Sequence, residues 1–187
     1  MLLGKIAGDS SNIRNSLYRA ALEGDWQSAN SQYKEYRDAA KGELPQEMDA
    51  PTLWELPITQ QKLNALQVAI AAKQANFVKK LLNCMTAKEL EFKNDNGDTA
   101  LAITALSGSV EIAKKIVEEN NELLMDRNNQ ETLPLITAAM HRQRDMVSYL
   151  YSVTEFHRLN PDERIKLLVL VISCDLYGMS YVSLTVS

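Results

Sequence analysis

The sequence predicts an all-α solenoid of stacked helix-turn-helix units with short turn fingers. Three observations lead there. Leu and Ala are abundant while aromatic residues make up only 6% of the chain. Pro (5) and Gly (7) are scarce, which argues against disorder, collagen and a turn-rich β-sandwich. Most telling, a pair of amphipathic helical segments recurs at a nearly fixed spacing, the signature of a repeat architecture. At 187 residues, 45% of them hydrophobic and 24% charged, the chain can hold one domain or one short repeat array.

The clearest unit is Asn94–Asn120, NDNGDTALAITALSGSVEIAKKIVEEN. A polar turn leads into a short apolar run from Thr99 to Leu106. A Ser107-Gly108 break then leads into a second amphipathic segment, Val110–Glu119. With Leu101 as anchor, the related segments start at Leu17, Leu66 and Leu135, with steps of 49, 35 and 34 residues. Three positions after each anchor stands a small residue: Ala20, Ala69, Thr104 and Ala138. Small residues there let a second helix approach closely. At +11/+12 and +15/+16 lie pairs such as Phe77-Val78, Leu81-Leu82, Ile112-Ala113, Ile116-Val117, Met146-Val147 and Leu150-Tyr151. Those positions share one face of a second helix. Gly24 and Gly108, both at +7, suit the tight link between antiparallel helices.

These residues carry a family resemblance. DNGDTALAITALSGSVEIAKKIVE resembles an ankyrin repeat, with Gly97, Thr99, Leu101, Ala105, Gly108, Ile112 and Ala113 in the family's places. Pro134, Leu135, Ala138, Ala139, Met146 and Val147 fill them in the following repeat. No repeat has the family's His after the anchor, where Tyr18, Gln67, Ala102 and Ile136 stand. Lys73 and Arg142 replace the linking Gly, and Glu131 the turn Gly; these losses are expected to weaken hydrogen bonds between repeats. The phrases LYRAALEGDW, AIAAKQANFVKKLL, VEIAKKIVE, ETLPLITAAM and MVSYLY are similar to the cytosolic ankyrin part of plant ankyrin-repeat membrane proteins. In that family a PGG domain with transmembrane helices follows. The resemblance implies stress or defence signalling at the cytosolic face of a membrane such as the plasma membrane. The present chain is read as a shortened or alternatively ended relative of it, without the membrane domain.

Along the chain, residues 1–14 read as a polar lead-in and 15–41 as an atypical first repeat whose polar second helix suits a solvent-facing end. Residues 42–61 hold three of the five prolines and read as an extended linker. Three repeats span 62–155. Residues 156–187 read as an incomplete fifth repeat and a divergent tail, with Pro161 in the first turn of a helix. That helix would leave Leu168, Leu170 and Ile172 poorly covered, which predicts marginal stability or self-association through Leu167–Ile172.

Chemistry is sparse. A net charge of −4 argues against phosphate-driven nucleic-acid binding. The turn around Gly97 fails the calcium-loop pattern, since Phe92 and Ile103 would fall at ligand positions. Cys84 and Cys174 stand far apart and read as buried thiols of a reducing compartment. His141 lies in HRQRD at the junction between two helices, where a solvated role suffices. The apolar run Leu167–Ile172 is far shorter than a membrane span. The expectation is a cytoplasmic, non-enzymatic scaffold without metal, cofactor or small-molecule substrate. The family's contact positions, carried over by register, are Ala71, Ala72, Asp95, Asn96, Asp98, Leu106, Ser107, Asn129, Gln130, Thr132, Met140 and His141. A groove of acids and amides with a Leu-Ala-Met strip suits a basic and apolar partner segment of another protein.

Overall fold

Nine α-helices and no strand are found among the described residues, 3–43 and 53–173, of the computed structural model. The chain divides into two compact units, Met1–Asn96 and Gly97–Ser187.

In the first unit α1 (Leu3–Glu23) and α2 (Trp26–Glu43) form one antiparallel pair. A second pair is α3 (Ala65–Ala71) and α4 (Ala75–Leu82), and α1 packs on α3. The small residues act as expected: Ala20, Ala21 and Ala69 are buried beside Leu17, Leu66, Phe77, Val78 and Leu81. Each of these large side chains removed from water is worth about 1.5–3 kcal/mol. The reading of 1–14 as a lead-in meets a different arrangement, since α1 already begins at Leu3. Part of the segment read as an extended linker also packs down. Leu53–Glu55 forms a 3-10 turn, and Trp54 is 1% exposed. The Trp54 ring stacks on Tyr33 (4.8 Å between centroids) and on Trp26 (6.2 Å), and Trp26 meets the edge of Phe77 (5.7 Å). A proline-rich stretch thus holds the central aromatic of the unit.

The second unit sets α5 (Ala100–Ser107), α7 (Pro134–Met140) and α9 (Pro161–Ser173) in one row. Their partners α6 (Val110–Glu119) and α8 (Arg144–Val153) form a second layer against α5 and α7. Met125, Leu133, Ile136 and Leu159 form a core under α9, with Phe156 and Leu170 packed on it. The exposed part of α9 differs from the expectation. Leu167 and Val171 are buried and Leu170 packs inward, whereas Ile165, Val169 and Ile172 face outward. The 3.6-residue period sorts the run into two faces, so Leu167–Ile172 is not one exposed surface. Cys84 is exposed, not buried. Cys174 and the divergent tail beyond Ser173, like the start of the linker at 44–52, lie outside the described residues.

Backbone geometry exposes the repeat more sharply than side chains do. Among the described residues, those with positive φ fall at only two repeat positions. Four before the anchor are Lys62 (57°), Gly97 (76°) and Glu131 (53°); seven after it are Gly24 (76°), Lys73 (59°), Gly108 (80°) and Arg142 (57°). Lys73, Arg142 and Glu131 therefore keep the left-handed turn that Gly makes without strain, at a cost of roughly 1–2 kcal/mol each.

Candidate functional site

The accessible surface of the second unit's front row is built from the finger before α7 and the outer side of α5 and α7. Asn128 organises the finger. Its side-chain oxygen accepts the N–H groups of Gln130 and Thr132, both at 3.0 Å, while its backbone carbonyl accepts the N–H of Glu131. Its amide donates to Asp98 at 2.8 Å, which ties this finger to the residue before the α5 cap. Thr99 then caps α5 by accepting the N–H of Ala102. Asn129 lies so close to Gly97 that a Cβ there would meet its backbone nitrogen at 2.7 Å.

Leu106 and Met140 stand at the same repeat position on neighbouring helices, 46% and 48% exposed. Leu22 occupies that position in the first unit at 45% exposure, and Ala71 is also exposed there. An apolar side chain kept outside the core at equivalent sites is the main departure of this surface from an ordinary solvated one. Beside Met140, the exposed His141 closes α7, with its Nδ1–H donating to the Thr137 carbonyl at 3.0 Å.

The predicted contact residues divide between the units. Ala71, Ala72, Asp95 and Asn96 belong to the first; Asp98, Leu106, Ser107, Asn129, Gln130, Thr132, Met140 and His141 belong to the second. Thr132 is a correction: it is 5% exposed, its hydroxyl donates to the Gln130 carbonyl, and it has no surface to offer. The acids are engaged as well. Asp95 pairs with Lys62 at 2.8 Å and Asp98 accepts from Asn128, so neither stands as an open carboxylate for a basic partner. Ser107 is half-buried with its hydroxyl donating to Thr104. The open positions are Leu106, Met140, Gln130, Asn129 and His141 in the second unit, and Ala71 and Asn96 in the first.

Two sets of residues that hold this surface escaped the sequence reading. Gln143, at the start of α8, donates from Nε2 to the Leu106 carbonyl at 3.0 Å, and its carboxamide crowds the space where a Gly108 side chain would be. In the first unit Gln74 does the same to the Leu22 carbonyl at 2.8 Å, over Gly24. The signal was a Gln directly after each non-Gly link, at Lys73 and Arg142. The expectation of weakened bonds between repeats is thus offset. Gln67 adds another, capping α3 with Asn64 and donating to the Phe92 carbonyl.

Glu163 is the second set. Its carboxylate, 6% exposed, takes Arg127 through two bonds (2.7 and 3.2 Å) and the Asn160 N–H at 2.8 Å. Burial pushes its pKa up, but the Arg127 hydrogen bond, the Asn160 N–H and the Arg127 charge together hold it below the ordinary carboxylate range. A depressed folded pKa means stability that is full above the unfolded value and is lost as pH falls through the folded one. Glu163→Gln is expected to cost about 1–3 kcal/mol at neutral pH. That difference should shrink below about pH 4, where the unfolded carboxyl binds its proton. Urea unfolding of both proteins across pH 3–7 measures it, and a pH-independent difference would refute the linkage.

A family model described as ankyrin repeats (3 copies) matches residues 66–160. The chain belongs to the ankyrin-repeat family. Its fold is accordingly the all-α ankyrin solenoid class, and ankyrin repeats are protein–protein interaction modules, in general without catalytic activity. A similar solved chain comes from the crystal structure of the yeast ribosomal protein Rps3 in complex with its chaperone Yar1. It is 17% identical with a TM-score of 0.57, and the match covers 79% of this chain and 95% of that one. That likeness concerns the ankyrin fold alone. Comparison with curated proteins returns no match. Among the described residues no helix is long and apolar enough to cross a membrane, and no group of His, Cys, Asp and Glu could hold a metal ion.

Proposed function

We propose that this ankyrin protein is a non-enzymatic scaffold that binds a segment of another protein across the outer side of α5 and α7. The observation that carries this reading is the matched pair Leu106 and Met140, each nearly half exposed on adjacent helices. Gln130 and His141 supply a polar rim, so the fitting segment is apolar at its centre with hydrogen-bonding groups at its edges. With Asp95 and Asp98 already engaged, the basic character expected of the partner gives way to an apolar one.

The test is affinity capture with the wild type, a Leu106→Lys/Met140→Lys double variant and a Tyr18→Lys control. A partner should be retained by wild type and control and lost by the double variant. Its measured Kd should rise at least about 30-fold, since two central apolar contacts are each worth roughly 1–2 kcal/mol. Equal binding by all three proteins would refute the site.

The wider reading is that the protein acts in the cytosol, at the inner side of a membrane such as the plasma membrane, in plant-type stress or defence signalling. Its support is the set of phrases shared with plant ankyrin-repeat membrane proteins, such as LYRAALEGDW and AIAAKQANFVKKLL. A fluorescent fusion imaged in plant cells tests it. A diffuse or nuclear signal unchanged by stress would count against it.

A further inference from the structure

We propose that Met140 makes the surface on α5 and α7 sensitive to peroxide: oxidation of its sulfur to the sulfoxide weakens binding there, and reduction restores it. The inference rests on the binding surface proposed above and names its regulation. Of the methionines among the described residues, Met140 is 48% exposed, whereas Met85 (7%), Met125 (8%) and Met146 (0%) are buried. Peroxide in water meets the exposed side chain directly and the buried ones only when the fold opens locally. Burial thus separates one reactive methionine from three protected ones.

The repeat register adds a second observation. Leu22, Ala71 and Leu106 hold the place of Met140 in the other repeats. Their side chains contain only carbon and hydrogen, so peroxide leaves them unchanged. Met140 is therefore the point where oxygen enters the apolar pair it forms with Leu106. A sulfur lone pair attacks one peroxide oxygen, the S–O bond forms as the O–O bond breaks, and the departing hydroxide leaves as water once protons have shifted. Sulfur is oxidised by two electrons and peroxide is reduced by two. A flexible apolar side chain becomes a polar, chiral one. Pressing the new S=O against the apolar centre of a partner strips its water without supplying a donor. In the free protein the group stays in solvent at the end of α7, so the fold itself is spared. Sulfoxide reductases reverse the step, with two thiols oxidised to a disulfide and the oxygen leaving as water. A bound partner covers the sulfur, which confines the oxidation to the free surface.

The experiment uses the full chain with Cys84→Ser and Cys174→Ser, which removes the thiols that peroxide also attacks. Short peptides are selected from a random library on the untreated protein, keeping those that the Leu106→Lys/Met140→Lys variant fails to bind. Hydrogen peroxide is then applied, oxidised residues are located by mass spectrometry, and each Kd is measured again. Sulfoxide should form on Met140 at least about tenfold faster than on Met85, Met125 or Met146. The peptide Kd should rise at least about fivefold, with Tm unmoved, and fall back after treatment with both sulfoxide reductases. In Met140→Leu, compared with the same variant untreated, it should stay within about twofold. Equal oxidation rates overturn the proposal, and so does a Kd that ignores the Met140 sulfoxide. A rise that persists in Met140→Leu, or that comes only with a fall in Tm, overturns it as well. If no peptide depends on Leu106 and Met140, the binding surface itself fails and takes this inference with it, so the two failures are told apart.

Discussion

Replacing Trp54 with alanine is expected to lower the stability of the first unit by about 3–5 kcal/mol, the range for deleting a buried aromatic. Domains of this size hold about 5–15 kcal/mol in all. The loss should be large because the fully buried Trp54 ring ties the Leu53–Glu55 turn to α2. Its ring lies between Tyr33 of α2 and Trp26 at the start of α2, which in turn meets Phe77 of α4. Trp54→Phe should lose much less, since the indole N–H has no hydrogen-bond partner among the described residues. Urea unfolding followed by far-UV circular dichroism compares the three proteins. A loss below about 1 kcal/mol for the alanine variant, the size expected of a surface change, would mean the aromatic stack is not what holds the segment.

The second large effect is expected at Gly97. Its φ of 76° already disfavours any other residue, and an added methyl would meet the Asn129 backbone nitrogen at 2.7 Å and side-chain oxygen at 2.5 Å. Backbone cannot swing aside, so Gly97→Ala should cost about 2–4 kcal/mol. Gly108 shares the left-handed geometry, but there the obstruction is the far end of Gln143. Gly108→Ala should therefore cost less, roughly 1.5–3 kcal/mol, because the amide can move at the price of its bond to Leu106. In a Gln143→Ala background the clash is gone, and Gly108→Ala should fall towards the bare conformational cost. Thermal unfolding of the single and double variants reads the order. Equal losses at the two glycines would contradict this account.

These cases show what the sequence could convey and why. The helix pairs and their inward faces were legible because burial imposes a 3.6-residue period, which survives in the order of residues. Leu106 and Met140 were legible as surface for the same reason, falling one step outside the buried face. Trp54 was not, because its ring partners lie on α2, about twenty or more residues away in sequence, and the prolines around it signal only a loop. The left-handed turns at Lys62, Lys73, Glu131 and Arg142 were hidden because neighbours force a geometry that those residues do not announce. Thr132 looked like a turn-tip residue, yet Asn128 draws its N–H inward and the hydroxyl follows. The engagement of Asp95 by Lys62 and of Asp98 by Asn128 likewise depends on pairings that only folding brings together.

The glutamine links carry a consequence for how such an array can be edited. Repeat proteins are commonly lengthened or shortened one unit at a time, since each unit answers only to its neighbours. Here the link residues read Gly24-Asp25, Lys73-Gln74, Gly108-Ser109 and Arg142-Gln143, so a donor repeat follows an acceptor repeat twice over. A Gln-bearing repeat placed after one with Lys73 or Arg142 would drive its amide into a side chain instead of the void over a glycine. The interchangeable module of this chain is thus the pair, and grafts or deletions that keep pairs whole should preserve its grammar.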